Sequence, residues 1–197
     1  MRVGVLVIIG AVLAPVAGAT LGSITTSDGE GTWAFPIQPE AFLLMSICLA
    51  AAHLLIAVGY VEVGRRSTGA ASGFANLGAL GTVLVAGVEI WSGLAARADS
   101  DDAVITWLDR GYFVTAVLIL VGTLGSGIAL LKAGSRLAMP LLVNGVFFAL
   151  VIPVRFFGTD GPTIDALIIA GLSIWSLLYI WLGIRLGVRR KVTSGTT

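Results

Sequence analysis

The chain has 197 residues, 57% of them hydrophobic and only 12% charged, with a mean hydropathy of +0.99. A soluble domain carries about 25% charged residues, so this chain cannot clothe a water-facing surface and its surplus apolar surface must meet lipid. The net charge of +1 offers no field for nucleic acid or an acidic partner, and the lone cysteine, Cys48, excludes an internal disulfide or a cysteine-based metal cluster.

Six apolar segments follow one another: 3–22, 41–62, 72–96, 111–132, 137–157 and 163–186. Each approaches the 20 or so residues needed to cross a hydrocarbon layer about 30 Å thick. Backbone groups in hydrocarbon must be satisfied within the segment. The runs are continuous rather than alternating, so a β-barrel is excluded. The expectation is an all-α, polytopic membrane bundle of six transmembrane helices in one domain, 1–197.

The first segment, "MRVGVLVIIGAVLAPVAGAT", also has the shape of a cleavable signal: a basic start, an apolar stretch, then small residues. Cleavage would leave five spans. Gly10, Ala14, Gly18 and Gly22 recur every fourth residue, a stripe suited to close helix packing, which favours an uncleaved first helix. Pro15 is expected to kink it or to mark an irregular turn.

The connections sort by charge. One set holds Arg2, Arg65, Arg66, Lys132, Arg136, Arg185, Arg189, Arg190 and Lys191, nine of the twelve basic residues. The other holds Asp28, Glu30, Glu40, Asp99, Asp101, Asp102, Asp109, Asp160 and Asp165, nine of the eleven acids. The sets alternate along the chain, as six spans require, and the positive-inside rule puts both termini in the cytoplasm. Trp33, Trp91, Trp107 and Tyr112 are expected in the outer headgroup belt, with "TWAFP" as an alternative lid over the bundle mouth. The residues 41–96 and 111–157 read as a weak repeat: a shift of 68 aligns Gly59 with Gly127, Ser67 with Ser135 and Asn76 with Asn144.

Intramembrane polar residues are costly, and by default they mark a site with a partner. The candidates are His53, Asn76, Glu89, Asn144 and Arg155. At about 1.5 Å rise per residue, Glu89 and Arg155 lie at similar depth, roughly 7 and 11 Å outward of their span centres, so they are expected to pair, directly or through water, and to lock helix three to helix five, with a pair lining a substrate path or independent snorkelling to the outer surface as alternatives. Ser46, Ala50, His53, Ala57 and Tyr60 share one face of helix two, and Gly78, Thr82, Ala86, Glu89 and Gly93 one face of helix three. An axial offset of roughly 9 Å argues against a direct His53–Glu89 bond. Ser173, Ser176 and Tyr179 add polar contacts on helix six.

"AHLLIAVGYVEVGRR", "GALGTVLVAGVEIWSG" and "GTLGSGIALLKAGSRLAMPLLVNGVFF" together resemble bacterial multi-pass membrane proteins of unassigned chemistry, with His in one helix, Glu in the next and a Gly-rich hairpin after them. The resemblance covers about half the chain. It implies a bacterial cell membrane and no site residues.

Familiar chemistries find no footing. One histidine excludes bis-histidine haem and leaves zinc short of ligands. No lysine lies deep in a span for a retinal Schiff base, and neither a phosphate loop nor a nucleophile elbow occurs. No cofactor and no metal are expected. The reading is a non-enzymatic integral membrane protein: a subunit of a membrane complex or a binder of a small apolar ligand. Its partners are the bilayer and a second membrane protein or a second copy. Two alternatives remain open: a small transporter or channel with an intramembrane polar site, and a membrane-embedded enzyme on a lipid or isoprenoid.

Overall fold

Because hydrocarbon offers no hydrogen bonds, each apolar run closes its backbone bonds on itself, and all six runs are helical in the computed structural model. It describes residues 3–157 and 162–188, with the helix path alone at 155–157, 162–170 and 172. The helices are α1 (Val3–Leu21), α2 (Pro39–Arg65), α3 (Ala70–Leu94), α4 (Ala103–Lys132), α5 (Ala138–Phe157) and α6 (Pro162–Gly187). α1 to α4 are each long and apolar enough to cross a membrane; α5 and α6 hold shorter apolar stretches, Ala138–Val154 and Ser173–Gly187, among the described residues. The molecule is a membrane helix bundle. Among the described residues it has no strand, only two isolated β-bridges.

Each helix packs on its neighbours in sequence, and α6 returns to pack on α1 and touch α2. The result is a closed ring in which α3 meets α2 and α4, while α5 meets α4 and α6. Lipid removes the ordinary hydrophobic drive between helices, so close backbone approach through small residues replaces it. A methyl group on Gly122 of α4 would collide with the backbone of Gly78 on α3, and one on Gly4 of α1 with the backbone of Gly183 on α6.

The α1 stripe departs from expectation. Gly4, Val7, Gly10, Ala11, Ala14 and Ala17 form its buried face, whereas Gly18 has open space around it. Four residues turn a helix about 40° past one revolution, so a strict every-fourth stripe spirals off its partner. Pro15 lies within α1 without ending it, as membrane helices allow. α4 starts eight residues before the expected span (103 against 111). Asp102 caps it by accepting from the Val104 N–H at 2.9 Å, and Ile105 and Leu108 bury against Ala95 and Trp33.

The two ends differ as the charges do. At the acidic end, residues 22–38 and 95–102 fold into one cap. Trp33 N–H donates to the Ala98 carbonyl at 2.9 Å, Ala34 N–H to Ala96 at 3.1 Å and Ser100 N–H to Gly31 at 2.8 Å. The Trp33 indole donates to Ser92 Oγ of α3 at 2.8 Å. Trp33 is therefore docked on the bundle, in the manner of a lid, while Trp91 and Trp107 remain exposed. Two basic residues at this end are taken up locally, Arg97 by an ion pair with Glu40 and Arg110 by the Trp107 ring at 4.8 Å.

At the basic end the α2–α3 and α4–α5 turns lie beside the end of α6. α4 stops in a left-handed glycine, Gly134 (φ 65°). The N–H groups of Gly134 and Ser135 bond back to the carbonyls of Leu131 and Leu130, which closes the helix as a left-handed glycine at that position does.

Candidate functional site

One connected group of polar side chains inside the bundle comes from α2, α4 and α6, with Asn144 of α5 beside it. Tyr60 of α2 is fully buried, its ring laid on Gly78, where a methyl would come within 2.9 Å of it. Its hydroxyl is 2.5 Å from Thr123 Oγ1 of α4 and 2.7 Å from the Tyr179 hydroxyl of α6. Each hydroxyl has one proton, which sets the order. Thr123 donates to the Ile119 carbonyl one turn back, at 2.5 Å. Tyr60 must then donate to Thr123 and accept from Tyr179. The side chain of Asn144 on α5 lies beside the Tyr179 hydroxyl. Three helices are thereby joined by donors that all point one way, from Tyr179 of α6 through Tyr60 and Thr123 to the α4 backbone.

Of the sequence candidates, Asn144 is the one beside the Tyr179 end of this network. It is 1% exposed, and its Oδ1 has no hydrogen-bond partner among the described residues. His53 borders the same region. Its half-buried ring stands edge-on to Trp175 of α6, centroids 5.7 Å apart, and Trp175 in turn stands edge-on to Tyr179 at 5.0 Å. His53 Nδ1 is buried, and the Leu49 carbonyl one turn back lies near it but outside normal hydrogen-bond geometry. His53 and Asn144 thus lie at opposite ends of an aromatic seam.

Glu89 lies apart from that seam, near the acidic end. It is buried on α3, and Tyr112 of α4 donates to its Oε2 at 3.0 Å. The expected partner was Arg155, whose side chain falls outside the described residues. α3 and α5 are not neighbours in the ring, so α4, not α5, is the helix that meets Glu89. The expected α3 face is buried throughout, from Gly78 to Gly93, and the α2 face from Ser46 to Tyr60 is buried apart from half-buried His53. Asn76 is exposed, with its carboxamide oxygen over Gly64 at the basic end of α3. Its partner by the 68-residue shift, Asn144, is buried, so those matched positions share no environment.

The sequence reading missed Thr123 and the bond between the two tyrosines. Neither tyrosine carries a charge signal, and Thr123 sits at ordinary helical spacing in an oily run. A faint cue existed: Tyr60 and Tyr179 both close polar helix faces. Chemically, the seam orients protons and holds helices. Among the described residues no hydrogen bond joins His53 to a carboxylate. Compared with known family models, curated proteins and solved structures, the chain matches none.

Proposed function

We propose that the protein is a non-enzymatic, multi-pass protein of a bacterial cell membrane, with all six helices crossing and both termini cytoplasmic. Its role is that of a subunit of a membrane complex or a holder of a small apolar ligand. The observation that carries this reading is the commitment of intramembrane polar groups to one another across helices: Tyr60 to Thr123 and Tyr179, Glu89 to Tyr112. Groups spent in this way fix helix positions and are not held ready for a reactant. The test is extraction from native membranes with a lipid-preserving polymer, followed by native mass spectrometry. A second polypeptide or an apolar molecule at constant stoichiometry is expected. A bare chain that catalyses solute flux in proteoliposomes, or that turns over a lipid, overturns the reading.

One observation favours a second reading, a small transporter. His53 Nδ1 and Asn144 Oδ1 are buried polar atoms with unused bonding capacity on one seam. Such atoms usually have a water or ligand partner. Flux abolished by both His53→Leu and Asn144→Leu would select this alternative.

A further inference from the structure

Three cations from two turns, α2–α3 and α4–α5, meet at the basic end. Arg66 follows α2, Lys132 closes α4 and Arg136 sits in the turn before α5; together they border a cavity of about 810 Å3. Two of them are held in place. Arg66 Nη1 donates to the Leu186 carbonyl at 3.1 Å and its Nε to Glu62 at 2.7 Å, while Arg136 Nη2 donates to the Val188 carbonyl. Carbonyls at the end of α6 and just after it thus position both guanidinium groups. A guanidinium has five donors, so most of those N–H groups stay available. Lys132 makes no ion pair among the described residues. Among the described residues Glu62 is the one acid bonded to this cluster, which leaves it net positive.

The walls add complementary features. Ser67 and Ser135 contribute hydroxyls. α3 begins at the cavity, with Gly69 as its N-cap and no side chain capping it. Its first N–H groups and its dipole therefore favour an anion there. The floor is apolar, with Leu130 and Leu137 both buried. Diffuse attraction of basic loops to an anionic surface needs none of this. A rim of fixed donors over an apolar floor, at the end of a membrane bundle, matches a phosphate ester joined to an alkyl chain.

We propose that this cavity binds a phosphate ester, with the headgroup phosphate of an anionic phospholipid as its expected source. The inference needs the chain to lie in a membrane but is independent of the non-enzymatic reading above. The full chain, stripped of lipid, is reconstituted in nanodiscs with defined lipids, and retained lipid is counted by native mass spectrometry. Phosphatidylglycerol is expected to be retained over phosphatidylcholine. Lys132→Gln is expected to weaken retention about fivefold and Lys132→Gln with Arg136→Gln roughly thirtyfold, at about one near-surface cation's worth each. Arg65→Gln, outside the cavity, leaves it unchanged. Lys132→Gln alone keeps the test valid if the double variant fails to fold, because Lys132 bonds no helix end. Displacement by millimolar glycerol phosphate would assign the site to a soluble phosphate ester and keep the phosphate chemistry. Equal retention of both lipids with no glycerol phosphate binding, or a Lys132→Gln protein that binds like the parent, overturns the proposal.

Discussion

Inside hydrocarbon a hydroxyl cannot fall back on water, so each polar side chain must find protein. Tyr60 meets that demand twice over. Its one proton goes to Thr123, and its oxygen takes the proton of Tyr179. A double-mutant cycle of Tyr60→Phe and Thr123→Val is expected to give a coupling of about 0.6 kcal/mol, with about 1.7 kcal/mol as the ceiling seen for such bonds in membranes. Unfolding free energies in bicelles measure it, and zero coupling would remove the directed network. Glu89 gives a sharper contrast. Tyr112→Phe takes away a donor to a buried carboxyl and is expected to destabilise the bundle by about 1–3 kcal/mol. Adding Glu89→Leu should recover most of that loss, because the group left unsatisfied is then gone. A neutral Tyr112→Phe variant would show that the contact carries no weight. The site was legible only where polarity stands out in an oily run, which led to Glu89, His53 and Asn144. Which partner each would take was not legible. Depth along the axis gave Arg155, whose side chain lies outside the described residues, while Tyr112 could not be read from depth because angular order around the ring puts α4 beside α3.

Helices as units were legible because apolar length is the dominant signal in a membrane chain. Their ends were less so. α4 reaches back to Ala103 because Asp102 caps it and because Ile105 and Leu108 pack under the cap, and no hydropathy window registers a helix that extends beyond the lipid. Glycine spacing overstated the length of the α1 stripe and gave no measure of the close backbone approach of Gly78 to Gly122. Substitution separates packing glycines from idle ones. Gly122→Val drives a branched side chain into the α3 backbone and is expected to cost at least about 3 kcal/mol, the upper range for overpacked cores. Gly87→Ala, on the same helix pair but with nothing near it, is expected to be neutral or to stabilise by up to about 1 kcal/mol through helix propensity. Thermal denaturation of the two purified variants should move in these opposed directions. Equal effects would mean that the α3–α4 crossing is not set by backbone approach.

For the whole molecule, charge sets direction. The rule that orients membrane proteins counts lysine and arginine near the helix ends and gives acids little weight. By that count nine cations belong to one set of connections. The other three are Arg97 and Arg110, each engaged locally, with Glu40 and Trp107, and Arg155, two residues before the end of α5. The bundle gathers the described connections of each set at its own end: the acidic pair interlocks through Thr32 and Asp99, and the basic turns share a cavity with Val188 after α6. One orientation therefore keeps every strongly basic connection in the cytoplasm, and the reverse would carry them all across. Cysteine labelling decides between the two. In a Cys48→Ala background, Asp101→Cys in the cap should react with a membrane-impermeant maleimide on intact cells. Thr68→Cys in the α2–α3 turn should react only after the cells are opened. Both positions are exposed, so burial does not confuse the result. Labelling of Thr68→Cys on intact cells, with Asp101→Cys protected until lysis, would invert the molecule and put the basic cavity on the outer surface. Labelling of both on intact cells would mean that the two ends do not lie on opposite sides of a membrane.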